Sequence, residues 1–179
     1  MASVTRLTID DFERLPQDEA KNHELVDGVL VPVSGDTAKH NFVFGLLFTQ
    51  LWLFARETRS GVVLAEQEYD FNGNVHGPDV SFLAPAKQAL IDPDKRVQRL
   101  VPDLAIEIVS ANDTFGSLLR KRDRYRKSGT QEVWIVSQES REVYIYSERG
   151  DRILREDAEL SSELLPGFRL TVKSLFETE

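Results

Sequence analysis

Apolar and polar positions follow two different rhythms along the chain, and the points where the rhythm changes divide it into elements. LTIDDFERLP (7–16) predicts a short amphipathic helix, capped by Thr8 or Asp10 and closed by Pro16. HELVDGVLVPV (23–33) is two apolar runs around Asp27-Gly28, a pair that favours positive φ and so predicts a β-hairpin. Residues 38–58, rich in Phe and Leu and including Trp52, predict the longest helix, ended by Ser60-Gly61. That helix is apolar nearly all round and is expected to lie on a sheet, covered on most sides.

VVLAEQEYDF (62–71) predicts a strand, FNGNVHG a loop, and DVSFLA (79–84) another strand. A polar connection containing Pro85 and Pro93 leads to LAIEIVS (104–110), a strand apolar on both faces. DTFGSLLRKRDRYRKSG then reads as a helix capped by Asp113 or Thr114 and stopped by Gly129. The strands EVWIVS, EVYIYS and RILRE follow, then LPGF and a small helix at 173–177. With no internal repeat, low-complexity tract or linker, the expectation is one mixed α/β domain over 1–179.

LAIEIVS raises a chemical question. Leu104, Ile106 and Ile108 point to one face and Ala105, Glu107 and Val109 to the other, so Glu107 needs a partner for a charge taken out of water. Two other acids share this setting, Glu24 in the hairpin and Asp79 after Pro78. Asp103 lies on the same strand and face as Glu107 but about 13 Å away, too far to share a cation. Asp79 comes from another strand and can approach to about 5 Å if the two are neighbours. Two carboxylates at that range repel, and a hard cation such as Mg²⁺ would relieve both the repulsion and the burial. The bland alternative is that Asp79 caps a turn and Glu107 faces solvent or meets Arg122. On the following helix Leu118 and Tyr125 form one stripe flanked by Lys121 and Arg122. Either cation could steady negative charge on phosphorus, and periodicity does not choose between them.

Composition narrows the chemistry further. The 179 residues are 41% hydrophobic and 29% charged, enough for a sizeable core. The absence of cysteine excludes disulfides, thiolate metal sites and cysteine nucleophiles. The apolar run 42–55 is too short to span a bilayer, and no basic-then-apolar leader opens the chain, so a cytoplasmic location is expected. With 22 basic against 30 acidic residues the net charge is −8, which argues mildly against nucleic acid. RKRDRYRK (120–127), with six cations in eight positions, is nevertheless where a phosphate backbone would bind; a solvated helix face is the alternative. The three histidines, His23, His40 and His76, lack zinc-hydrolase spacing. His40, near the start of the long helix, could line the site, but reads first as a surface or capping residue; His76, three residues before Asp79, could contact substrate. Ser81 and Ser110 have no G-x-S-x-G setting.

HGPDVSFL, LAIEIVS and SANDT…LLRKRDRYRKSGTQEVWIVS, in that order, resemble the PD-(D/E)xK nucleases of restriction-endonuclease-like fold. More narrowly they resemble the bacterial endonuclease family called Uma-two, from DDFERLP through HELVDGVL to ELLPGF. The resemblance implies a central mixed sheet flanked by helices, with an N-terminal hairpin. It also implies Mg²⁺- or Mn²⁺-dependent hydrolysis of DNA phosphodiesters. Asp79, Glu107 and the Ile108 carbonyl would hold the metal, Lys121 would stabilise the phosphorus, and Glu24 would bind a second ion or position a water. Val109 stands where the superfamily pattern puts its lysine; in this family the lysine opens a Lys-x-x-x-Tyr stretch, here Lys121 to Tyr125, which favours Lys121 over Arg122. Arg120, Arg122 and Arg124, with His76, would contact the strand. The alternative is a nuclease-fold binding or assembly module with little or no catalysis. A homodimer is expected from the aromatic strands and from how such folds reach both strands of a duplex; light scattering would test it.

Overall fold

The computed structural model describes residues 6–20, 22–33, 37–111 and 113–177, so Asn112 of the SANDT stretch lies outside the described residues. Helix α1 (Ile9–Glu13) starts at Thr8, not Asp10: the Thr8 hydroxyl accepts from the Asp11 N–H while the Asp11 carboxylate accepts from the Thr8 N–H. After a single helical turn, α2 (Gln17–Ala20), come β1 (His23–Val26) and β2 (Val29–Pro32). Asp27 and Gly28 between them both take positive φ, 51° and 78°, which matches the twist of a tight hairpin. Helix α3 (Ala38–Thr58) ends one residue before the Ser-Gly pair, because Arg59 itself adopts the left-handed cap at φ 55°.

The stretch 62–71 is two strands, not one. Glu66 at φ 49° breaks it into β3 (Val62–Ala65) and β4 (Glu68–Asp70), which join different sheets. The expected loop carries a short β5 (Val75–His76) before β6 (Val80–Leu83). The polar connection carries a helical turn, α4 (Pro85–Gln88), and a two-residue β7 (Val97–Gln98). Next come β8 (Leu104–Ile108), α5 (Phe115–Ser128), β9 (Glu132–Ser137), β10 (Glu142–Ser147) and β11 (Arg152–Leu154). A small ribbon of β12 (Glu159–Leu160) and β13 (Leu170–Thr171), missed by periodicity, leads into a 3₁₀ turn at Val172–Phe176.

The main sheet runs β11-β10-β9-β8-β6-β3, and all its pairings are antiparallel except β8 with β9. That one parallel pair needs a crossover, which α5 supplies. A second sheet, β2-β1-β5-β4-β7, contains the hairpin. The architecture is therefore a mixed sheet flanked by helices, with an N-terminal hairpin.

The alternation read in LAIEIVS sorts the core. Leu104, Ile106 and Ile108 pack with Val43, Leu47, Leu51 and Ala55 of α3. Ala105 packs on the other face with Tyr125 of α5, Val133, Tyr69 and Phe71. Each such Val, Leu, Ile or Phe side chain contributes about 1.5–3 kcal/mol on burial, so β8 is held from both sides and Glu107 inherits a fixed place. Helix α3 is less covered than its composition implied: Phe42 is 61% and Leu53 50% exposed. Asp103, the rejected partner of Glu107, is buried for structural reasons. Its carboxylate accepts from the Ala84 N–H, Lys87 and Gln131 and ties α4 to the start of β9.

Candidate active site

Asp79 sits just ahead of β6, where the ladder pairing Val80 with Ile106 stops. Continued by one pair, that register would set Asp79 opposite Glu107. Instead of a main-chain partner, the Ile108 N–H finds the Asp79 carboxylate, donating to Oδ2 at 2.6 Å. His40 Nε2 lies 3.4 Å from the same oxygen. Glu107, 7% exposed, points toward α5. Tyr125 donates its hydroxyl to Oε1 at 2.5 Å, and Lys121 donates to Oε2 at 3.2 Å. The loop from β8 into α5 is pinned by Asp113, which accepts from the N–H and hydroxyl of Ser110, and Thr114 then caps the helix.

Lys121 has a second anion. Its ammonium is 2.9 Å from Glu24 Oε1 as well as 3.2 Å from Glu107, so one cation spans hairpin and main sheet. The other Glu24 oxygen lies 3.0 Å from His76 Nδ1. His76 Nε2 is 3.1 Å from Arg124 Nη1, and Arg124 Nη2 reaches Asp27 in the hairpin turn. Arg122 turns away, pairing with Asp123 and lying over the Tyr146 ring. Between the two candidates left by helix periodicity, Lys121 is the one among the acids.

Charge and burial pull the ionisations apart. Burial pushes the Glu107 carboxyl up to about 7; Lys121 draws it down, while Asp79 and Glu24 repel it further up. Burial also works against the Lys121 ammonium, but Glu107 and Glu24 outweigh it and hold its pKa above the usual lysine value. Burial acts on Glu24 too, yet the close His76 imidazole and the Lys121 charge hold it down at about 2. Burial lowers His76, despite Glu24 beside it. Tyr125 is raised well above an ordinary phenol by burial and then by Glu107.

A stability prediction follows for Glu24. Its folded pKa is depressed from 4.5, so its contribution is complete above pH 4.5 and is lost as pH falls toward 2. The size is on the order of 3 kcal/mol. Urea unfolding with chelator should show Glu24→Gln clearly weaker than wild type at pH 6, with the gap closing toward pH 2.5; a gap independent of pH would contradict the ion pair.

Several expectations change at this point. His76 is 1% exposed and packed against Phe71 and Tyr125, so it lies behind Glu24 and does not face a substrate. His40 is buried against Asp79, not on the surface. Its place was readable: His40, Val43, Leu47, Leu51 and Ala55 form the single buried stripe of α3. The basic run is not one solvated face. Arg122 and Arg124 are engaged as above and Arg126 donates to the Thr130 and Gln131 carbonyls, while Arg120 and Lys127 are exposed. Tyr125, read only as core and as the end of a family stretch, is a direct partner of Glu107.

The oxygen donors a hard cation would use are the Asp79 and Glu107 carboxylates, and both Glu107 oxygens already accept, from Tyr125 and Lys121. The donor chemistry fits: the carboxylates of Glu24 and Glu107 share the single ammonium of Lys121, and Asp79 adds a further negative charge beside Glu107. Among the described residues no group of three or more His, Cys, Asp or Glu side chains could hold a metal ion. That argues against an all-protein cage; Mg²⁺ commonly uses one or two carboxylates, with waters and phosphate oxygens completing its shell. No helix among the described residues is long and apolar enough to cross a membrane.

Residues 9–173 match the Uma2 family profile, described as "Putative restriction endonuclease". The fold is similar to a crystal structure from Anabaena variabilis ATCC 29413, described as "a putative nuclease belonging to DUF820". The TM-score is 0.83 at 20% identity, covering 95% of this chain and 97% of that one. No curated protein matches.

Proposed function

This chain belongs to the Uma2 family, and on that premise we propose that its nuclease fold engages DNA at the Asp79–Glu107–Lys121 cluster and hydrolyses phosphodiester bonds when Mg²⁺ or Mn²⁺ is supplied. The observation that carries the reading is a lysine and three carboxylates from four separate elements meeting at one end of β8. A core with no chemical task has little use for so much buried charge.

Asp79 and Glu107, with the Ile108 carbonyl, would hold the cation, whose chemistry is to polarise a phosphoryl oxygen and to acidify bound water. The remaining work belongs to this chain's own groups. Lys121 offers an ammonium to the negative charge that grows on phosphorus. Glu24 keeps that ammonium from collapsing wholly onto Glu107. Tyr125 orients Glu107 by binding the oxygen that Lys121 leaves free. Arg120 and Lys127, the exposed cations of the helix, are available to phosphates flanking the scissile bond.

The second reading is a nuclease-fold module that binds nucleic acid and cleaves it slowly or not at all. It needs less beyond the family assignment, and specific observations favour it. No three-residue metal group exists among the described residues, Lys121 is tied to two carboxylates, and the chain carries a charge of −8. Cleavage of supercoiled and single-stranded DNA with Mg²⁺ or Mn²⁺ separates the two. Wild type should nick or linearise DNA, and Asp79→Ala should lose at least about a hundredfold of that rate. DNA binding without cleavage would establish the module instead, and equal cleavage by both proteins would place the activity outside this cluster.

A further inference from the structure

We propose that Arg124 and His76 are positioning residues: Arg124 fixes His76 in its neutral Nδ1–H tautomer, and that tautomer holds Glu24, and through it Lys121, in register with Glu107. This assigns to both residues a task different from contacting nucleic acid. Only the kinetic part of its test rests on the hydrolytic reading.

The argument begins with donor counting. A guanidinium has five N–H donors and no lone pair, so an atom 3.1 Å from Arg124 Nη1 must accept. That atom is His76 Nε2. A neutral imidazole has one accepting and one donating nitrogen, so the proton goes to Nδ1. Nδ1 is the atom that faces Glu24 Oε2, at 3.0 Å, close enough for the charge to act although the pair is not aligned as a hydrogen bond. The opposite tautomer would set a lone pair against a carboxylate oxygen and leave Arg124 pointing at an N–H. Both contacts would become repulsive, and Glu24 would have reason to turn away from Lys121.

The surroundings give the ring no other way to satisfy itself. His76 is 1% exposed, with Phe71 and Tyr125 rings at 5.9 and 5.6 Å. The charged groups near it are Glu24, Lys121 and Arg124. Arg124 is anchored in turn by Asp27, 3.3 Å from its Nη2, and the Asp27 N–H donates to Asn74 at the foot of β5. The path Asp27, Arg124, His76, Glu24, Lys121, Glu107 thus runs from the hairpin turn through β5 and α5 to β8.

Long-range ¹H–¹⁵N correlation of the imidazoles in the labelled full chain reads the tautomer directly, with His76→Gln identifying the signal. At pH 7 with chelator, wild type should show a protonated Nδ1 and a bare Nε2. Arg124→Met should move the proton to Nε2 or give an averaged pattern, and Arg124→Lys, which still donates, should restore the wild-type one. Asp27→Asn should leave it unchanged, separating the tautomer from the hairpin pairing; if Arg124→Met does not fold, Arg124→Gln, which has one short amide and cannot reach as a guanidinium does, replaces it, and the wild-type pattern is a test by itself. With Mn²⁺ and DNA, Arg124→Met should lower kcat about tenfold or more with KM within about twofold, and Arg124→Lys should recover most of it. An Nε2–H or doubly protonated His76 in wild type, or the wild-type pattern surviving in Arg124→Met, overturns the proposal. Absence of cleavage with the tautomer pattern intact would count against the hydrolytic reading alone.

Discussion

Glu107→Gln should flatten the pH dependence of stability between about pH 4.5 and 8 and, in the same protein, abolish divalent-dependent cleavage. The folded pKa of Glu107 is raised from 4.5 to about 7. Between those values the folded state keeps a proton that the unfolded chain has lost. The group's contribution is therefore complete below pH 4.5 and disappears as pH rises through 7. By pH 8 the loss is on the order of 3 kcal/mol. Glutamine neither titrates nor repels Asp79 and Glu24, so chelator-treated Glu107→Gln should hold its stability where wild type declines. It lacks the anionic oxygen that a cation needs, and cleavage should fall by at least about a thousandfold. Urea denaturation across the pH series reads the first effect and plasmid nicking the second. A pH profile identical to wild type would mean that Glu107 is not the strained acid described here.

Lys121→Met should act in the opposite direction. Methionine approximates the lysine stem but removes the charge that spans Glu24 and Glu107. Two buried carboxylates then face each other, and breaking such an arrangement by removing one partner costs about 3–5 kcal/mol. The penalty should be largest near pH 8 and smaller near pH 5, where Glu107 is protonated and only Glu24 remains charged. On the proposed hydrolytic reading, cleavage should drop about a hundredfold or more, since the ammonium proposed to face the phosphoryl charge is gone. Combining Lys121→Met with Glu107→Gln should restore much of the stability and none of the cleavage. Equal stability of Lys121→Met and wild type at pH 8 would show that the ammonium does not bridge the two acids.

The elements were legible in the sequence wherever one strong local rule applied. The Asp27-Gly28 turn, the Thr8 and Thr114 caps and the two-sided strand Leu104–Ile108 each depend on neighbours within a few residues. The split of 62–71 was not legible, because it depends on Glu66 accepting a left-handed φ that no local preference demands. Strand β7 exists through β4, about thirty residues away, and β5, although it forms a tight hairpin with β4, also joins β1 about fifty residues away. In the site, Asp79 and Glu107 were suggested by burial logic and sharpened by the family resemblance. The network behind them was hidden, since the His76–Glu24 and Arg124–His76 contacts join residues about fifty apart. The run of six cations offered a phosphate-binding or solvated face, whereas four of them, Lys121, Arg122, Arg124 and Arg126, already have partners within the protein. Charge counts in a sequence do not tell which charges are already neutralised.

The central claim, that Asp79 and Glu107 form a place short of one cation, is tested most directly by Mn²⁺ titration calorimetry at pH 7 in buffers of different ionisation enthalpy. The account predicts saturable binding of Mn²⁺ with release of protons, because burial raises the Glu107 carboxyl and a cation would displace its proton. Both should vanish in Asp79→Ala, and the proton release should vanish in Glu107→Gln. Absence of binding at millimolar Mn²⁺, or undiminished binding by Asp79→Ala, would contradict it.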